Sequence, residues 1–154
     1  MGGLTAAELV RRHATIGLDS NLFIYLIEGV LPWAGQVAEL LADVETAGAS
    51  AVMSAMGLTE ILTGPARDGD FDRVERNQDD IRAIPRLTIV PLDSDVAVDA
   101  AVIRGARGMT LPDAVHLASA RAAGATAFVT NDRRMRGSSK LEVVYLDELL
   151  PAPA

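Results

Sequence analysis

The stretch LPDAVHLASARAAGATAFVTND, Leu111 to Asp132, decides the fold. Its first half places Val115, Ala118 and Ala122 on one helical stripe that opens after Pro112 and closes at Gly124. Its second half, TAFVT (126–130), is a short apolar run of strand length, and one residue separates its end from an acid, Asp132. A helix that feeds a buried strand, with a carboxylate just past the strand end, is the pattern to look for elsewhere in the chain.

It recurs. Short apolar runs bounded by turn residues occur at TIGL (15–18), ASAVMS (49–54), LTIVPL (87–92) and LEVVYL (141–146). Between them, Val37, Leu40, Leu41 and Val44 form a helical stripe with Pro32 near its start and Gly48 just past its end, and Val96, Ala100 and Ile103 form another. The polar stretch TGPARDGDFDRVERNQDD (63–80) reads as a loop leading into a solvated helix that turns Phe71, Val74 and Ile81 inward. Strand and helix alternate, so the expected class is α/β: a mostly parallel sheet of four to five strands with helices on both faces, because parallel neighbours need right-handed crossovers.

A chain of 154 residues with 49% hydrophobic and 23% charged residues is expected to form one domain with a real core. The absence of cysteine removes disulfides, thiolate catalysis and Cys-type zinc sites, and His13 and His116 are the only histidines. A net charge of −7 means that any contact with nucleic acid must run through a local positive patch. The N-terminus lacks a basic start followed by an apolar core, and IGLDSNLFIYLI is interrupted by Asp19, Ser20 and Asn21. Neither signal peptide nor membrane span is supported, and a cytoplasmic location is expected.

In an open parallel sheet, ligands bind beyond the carboxyl ends of the strands where the strand order reverses. Asp19 follows TIGL and Asp132 follows AFVT with one residue between. Glu60 lies about a turn into the helix after the second strand, and Asp113 sits in the first turn of the helix before the fourth. Two carboxylates ~5 Å apart repel by roughly 3 kcal/mol at an effective dielectric near 20. Four together must raise their own pKa values or take a cation. Oxygen-only ligands select a hard divalent ion such as Mg2+ or Mn2+, which can activate water and stabilise the leaving oxygen of a phosphodiester.

The set LDSN, LTEIL, LPDAVHLASA and FVTND resembles the PIN-domain ribonucleases, and the chain size is similar to that of the VapC-type toxins of toxin–antitoxin pairs. The resemblance covers about residues 15 to 147. It implies a three-layer PIN-like domain over 15–150 after an N-terminal extension of residues 1–14. It further implies metal-dependent endoribonuclease activity, a small antitoxin that blocks the acidic site, and a homodimer. Carried over, the family's acidic quartet falls on Asp19, Glu60, Asp113 and Asp132. Asp19, Asp113 and Asp132 would hold Mg2+ or Mn2+, and Glu60 would bind a second ion or orient water. Asn21 and Thr130 match small polar positions that would hydrogen-bond and fix the acids. Met135 stands where the family often has an aromatic.

Each acid also has an ordinary reading: Asp19 as the cap of the next helix, Asp113 as a helix-start residue, Glu60 as surface, Asp132 as a turn residue. His116 shares a helix face with Asp113, where a half-buried histidine is ordinary and an oxygen-ligated metal needs no imidazole. Asp93 or Ser94 is a helix cap, with Asp95 and Asp99 on the solvated side. Arg133, Arg134 and Arg136, with Lys140, supply positive charge beside Asp132; they are candidates for RNA phosphate contacts or the solvated partners of nearby acids. Two other classes compete with the nuclease. A phosphoaspartate protein would want a lysine after a late strand or an Asp where Asn21 stands. A catalytically silent module of the same fold would keep the acids without the reaction.

Overall fold

The computed structural model describes residues 3–138 and 140–153. The chain runs α1 (Ala6–Arg12), β1 (Thr15–Leu18), α2 (Ser20–Glu28), α3 (Trp33–Ala47), β2 (Ser50–Ser54), α4 (Ala55–Arg67), α5 (Phe71–Arg82) and β3 (Leu87–Val90). It continues α6 (Ser94–Arg107), α7 (Leu111–Ala122), β4 (Ala127–Thr130), β5 (Glu142–Tyr145) and a closing 3-10 turn, Leu146–Glu148. The five strands form one sheet in the order β3-β2-β1-β4-β5, with every neighbouring pair parallel. Strand order reverses between β1 and β4, which places the crevice at their carboxyl ends.

Two apolar layers flank this sheet. On one face Leu9 and Val10 of α1, Leu22 and Phe23 of α2, and Val37, Leu40 and Val44 of α3 pack with Ile16, Leu18, Met53 and Val129. On the other, Val96, Ala100 and Ile103 of α6 and Val115, Leu117 and Ala118 of α7 pack with Val52 and Phe128. The three-layer α/β arrangement expected from the alternation is present, with five all-parallel strands. No helix among the described residues is long and apolar enough to cross a membrane.

Local chemistry sets the element ends. Gly48 at φ 66° closes α3 in the left-handed conformation that a side chain would resist. Asp93 caps α6 through the Val96 N–H, 2.9 Å. Gly17 matters differently: a Cβ there would come within 2.7 Å of both the Ala120 Cβ and the Phe128 ring. Only glycine lets α7 lie this close to β1, and that approach brings the start of α7 to the sheet edge.

Three sequence expectations fail locally. Phe71 is 71% exposed because it is the first residue of α5, directly after the Asp70 cap; the inward face is carried by Asn77 and Ile81, with Val74 half-buried. The loop expected from residue 63 is short, since α4 continues through Pro65 to Arg67. Ala122 is exposed: Ala114 through Ala120 are all buried between α6, β1, β2 and α4, but the last turn of α7 projects past them.

Candidate active site at the carboxyl ends of β1 and β4

Asp19 directly follows β1 and caps α2, the ordinary reading of an acid at this position. The residue is only 7% exposed. Oδ1 accepts from the Ser20 N–H at 2.8 Å and Oδ2 from the Thr130 hydroxyl at 2.7 Å. The β1–β4 register pairs Leu18 with Val129, and the next step along both strands is Asp19 and Thr130. Thr130 Oγ1 also accepts from the Asp132 N–H at 2.9 Å, so one buried hydroxyl ties the two strand-end acids together. Burial pushes the Asp19 pKa above 3.8, raised further by the Glu60 charge, against the opposing pull of His116, Thr130 and Ser20.

Glu60 reaches the same edge from α4, which starts at the end of β2 with Ser54 as its cap. Its Oε1 accepts from the Ser20 hydroxyl at 3.0 Å and lies 2.5 Å from His116 Nε2. That nitrogen is 3.9 Å from Asp19 Oδ1. The His116 hydrogen bond leads the causes that hold Glu60 below 4.5. Burial works against protonation of His116, but the Glu60 hydrogen bond and the charges of Asp19, Glu60 and Asp113 outweigh it and raise its pKa above 6.5. The two shifts agree on an ionised pair.

Asp113 and Asp132 form the open side. Asp113 lies half-buried in the first turn of α7, its N–H 3.3 Å from the Thr110 hydroxyl. Both Asp132 oxygens are held by Arg134: Oδ1 accepts from its backbone N–H at 2.9 Å and from Nε at 3.0 Å, Oδ2 from Nη2 at 2.8 Å. This pairing depresses the Asp132 pKa below 3.8. The Asp113 charge also acts on Arg134. All four acids therefore share neighbours, three around His116 and two around Arg134.

A cleft of about 690 Å³ opens beside Asp113 and is lined by Arg107, Arg134 and Arg136. Arg107, which the sequence reading passed over, donates through Nη1 to the Arg136 and Gly137 carbonyls at 2.7 and 2.8 Å and so pins the loop that carries the other two. Its position late in α6 gave no sequence signal. Arg133 points elsewhere: it pairs with Asp147 at 2.6 Å and sits 3.9 Å above the Tyr145 ring. Asn21 makes no side-chain hydrogen bond to an acid among the described residues, and its Oδ1 is buried without a hydrogen-bond partner. Its neighbour Ser20 makes the contact instead, because the first residue of α2 faces α4. Met135 is fully buried in the second apolar layer.

An oxygen-only, anionic donor set suits a hard divalent cation, and Asp19, a nearly buried carboxylate held by two donors, is an expensive group to keep without one. Among the described residues no three His, Asp or Glu side chains are arranged as a metal-holding group; Asp132 is engaged by a guanidinium and Glu60 by an imidazole. The chemistry of the donors suits such an ion, and binding one would require those side-chain cations to yield.

A family model described as PIN domain matches residues 16–140. No curated protein is similar enough in sequence to match. FitAcB from Neisseria gonorrhoeae superposes with a TM-score of 0.65 at 22% identity, over 87% of this chain and 99% of that one. DNA-bound VapBC from Salmonella typhimurium gives 0.65 at 19%, over 86% and 98%. A sarcin–ricin-loop-cleaving toxin from Mycobacterium tuberculosis gives 0.56 at 18%, over 73% and 86%. At these identities the likenesses establish a shared fold.

Proposed function

Because the chain belongs to the PIN-domain family, we propose that it is a Mg2+- or Mn2+-dependent endoribonuclease and the toxin of a toxin–antitoxin pair, with residues 15–150 as the nuclease domain and 1–14 as its extension. The observation that carries this reading is the Thr130 hydroxyl, which links the carboxylate of Asp19 to the backbone of Asp132 at the strand-order reversal. Asp19, Asp113, Asp132 and Glu60 would hold the metal, which supplies Lewis acidity toward a phosphodiester and a water of lowered pKa. Thr130 and Ser20 keep Asp19 and Glu60 in place; Arg134 and Arg136 would receive backbone phosphates.

Solved neighbours include toxin–antitoxin complexes, which supports a cognate antitoxin here, and a homodimer in a cytoplasmic setting goes with that assignment. One observation favours a second reading, a catalytically silent module: Asp132 and Glu60 already have side-chain cations. Purified, partner-free protein incubated with a cellular RNA pool and Mn2+ separates the two. Discrete fragments that vanish with chelator and in Asp19→Asn are expected. Intact RNA from a folded protein that also shows no calorimetric Mn2+ binding would leave the silent module standing.

A further inference from the structure

Arg134 has two anionic targets within its reach. It holds both oxygens of Asp132, and it lines the cleft with Arg107, Arg136 and Asp113. Its side chain is 77% exposed, so nothing packs it in place. The guanidinium fork that matches a carboxylate also matches a phosphate. While Arg134 holds Asp132, both carboxylate oxygens carry guanidinium N–H groups and a positive charge sits where a metal ion would, so guanidinium and metal compete for the same carboxylate.

We propose that Arg134 is a two-position residue that couples metal binding to RNA binding: docked on Asp132 before either ligand binds, it transfers to a backbone phosphate in the Arg107–Arg136 cleft and frees Asp132 for the ion. The inference rests on the metal-nuclease reading above. Charge balance supports the transfer. Asp113 and Asp132 face one guanidinium, that of Arg134; when a divalent ion and a phosphate arrive together, the ion replaces the guanidinium at the acids and the guanidinium neutralises the phosphate. Neither ligand alone satisfies both anions, so each favours the other by the same factor. Arg107 keeps the cleft open by fixing the loop and leaves Arg134 to move. Arg134 is thus a positioning residue toward the metal and a binding residue toward RNA.

The test measures the full chain with each probe separately. Mn2+ calorimetry on wild type and Arg134→Gln is expected to show about tenfold tighter binding in the variant, the size of effect that partners of metal ligands have. Adding Asp132→Asn to Arg134→Gln should abolish that gain. Fluorescence anisotropy with a labelled 2′-O-methyl oligouridine in chelator should show the opposite sign, a several-fold weaker affinity in Arg134→Gln. A plain phosphate contact would weaken RNA binding without touching Mn2+ affinity, and a plain structural ion pair would leave the oligonucleotide unaffected; either result overturns the coupling. Equal Mn2+ affinity in both proteins sinks only this inference, whereas no Mn2+ binding by either sinks the nuclease reading with it.

Discussion

The four acids divide into a pair held by groups of the fold and a pair that faces a cleft, and the two are stabilised by different physics. Asp19 and Glu60 sit among groups fixed by the fold: the Thr130 and Ser20 hydroxyls, a helix-start N–H and an imidazole held in α7. Asp113 and Asp132 face a cleft whose cations are long, solvated side chains on a loop. The first pair is preorganised and cannot adjust without repacking; the second can exchange partners. A site that must hold an ion rigidly and still admit a flexible polyanion has use for both.

The sharpest way to break the fold-held side of the site is Thr130→Val, which keeps the shape and deletes the hydroxyl between Asp19 and Asp132. It strands an oxygen of Asp19 and the Asp132 N–H, and burial of an unsatisfied group costs about 1–3 kcal/mol. Denaturant midpoints should fall accordingly, and Mn2+ affinity by calorimetry should drop roughly 10- to 100-fold. Thr130→Ser should restore most of both. If the valine variant keeps its metal affinity, the strand-end acids do not act as a unit.

This pair also marks the limit of what the sequence carries. Strand positions, the α/β class and the strand-end acids are legible because alternation of apolar runs and helical stripes is a property of neighbouring residues. Which side chains occupy the acids is not. Arg134 on Asp132 is a local contact, visible only once the loop geometry is known. The His116–Glu60 contact joins residues 56 positions apart and depends on α7 lying close over Gly17. Asn21 and Ser20 are adjacent, and a rotation of one helical position decides which one reaches Glu60. Phe71 was misplaced for a related reason: periodicity assigns faces, but the first residue of a helix can lie before the face packs.

A smaller effect should appear in the pH dependence of the metal-free fold. Glu60 titrates below its ordinary 4.5, so its contribution is present above that value and is lost as pH falls through the lowered one. His116 titrates above its ordinary 6.5, so its contribution is present below 6.5 and is lost as pH rises through the raised value. The pair therefore stabilises most between pH 4.5 and 6.5. Asp19, raised above 3.8, works against the fold as it ionises. The Glu60 side chain is 37% exposed and solvent screens it, so the gain over His116→Gln should stay under about 1 kcal/mol. Chemical denaturation of both proteins in chelator across this range checks it; a difference that grows above pH 6.5 would contradict an ionised pair.

The open pair is sharpened by the arginine that does not join it. Arg133 precedes Arg134 in the chain, yet it pairs with Asp147 and Glu148 and covers Tyr145. Arg136 is exposed and lines the cleft. Arg133→Ala should therefore lower stability by less than about 1 kcal/mol and leave oligonucleotide affinity unchanged. Arg136→Ala should leave stability unchanged and reduce the salt dependence of single-stranded RNA binding by about 0.7 in log–log slope, the share of one phosphate contact. Equal losses of RNA affinity in the two variants would mean that the strand path crosses the β5 edge as well as the cleft, and that the cations there are not held by Asp147 and Glu148 when RNA arrives.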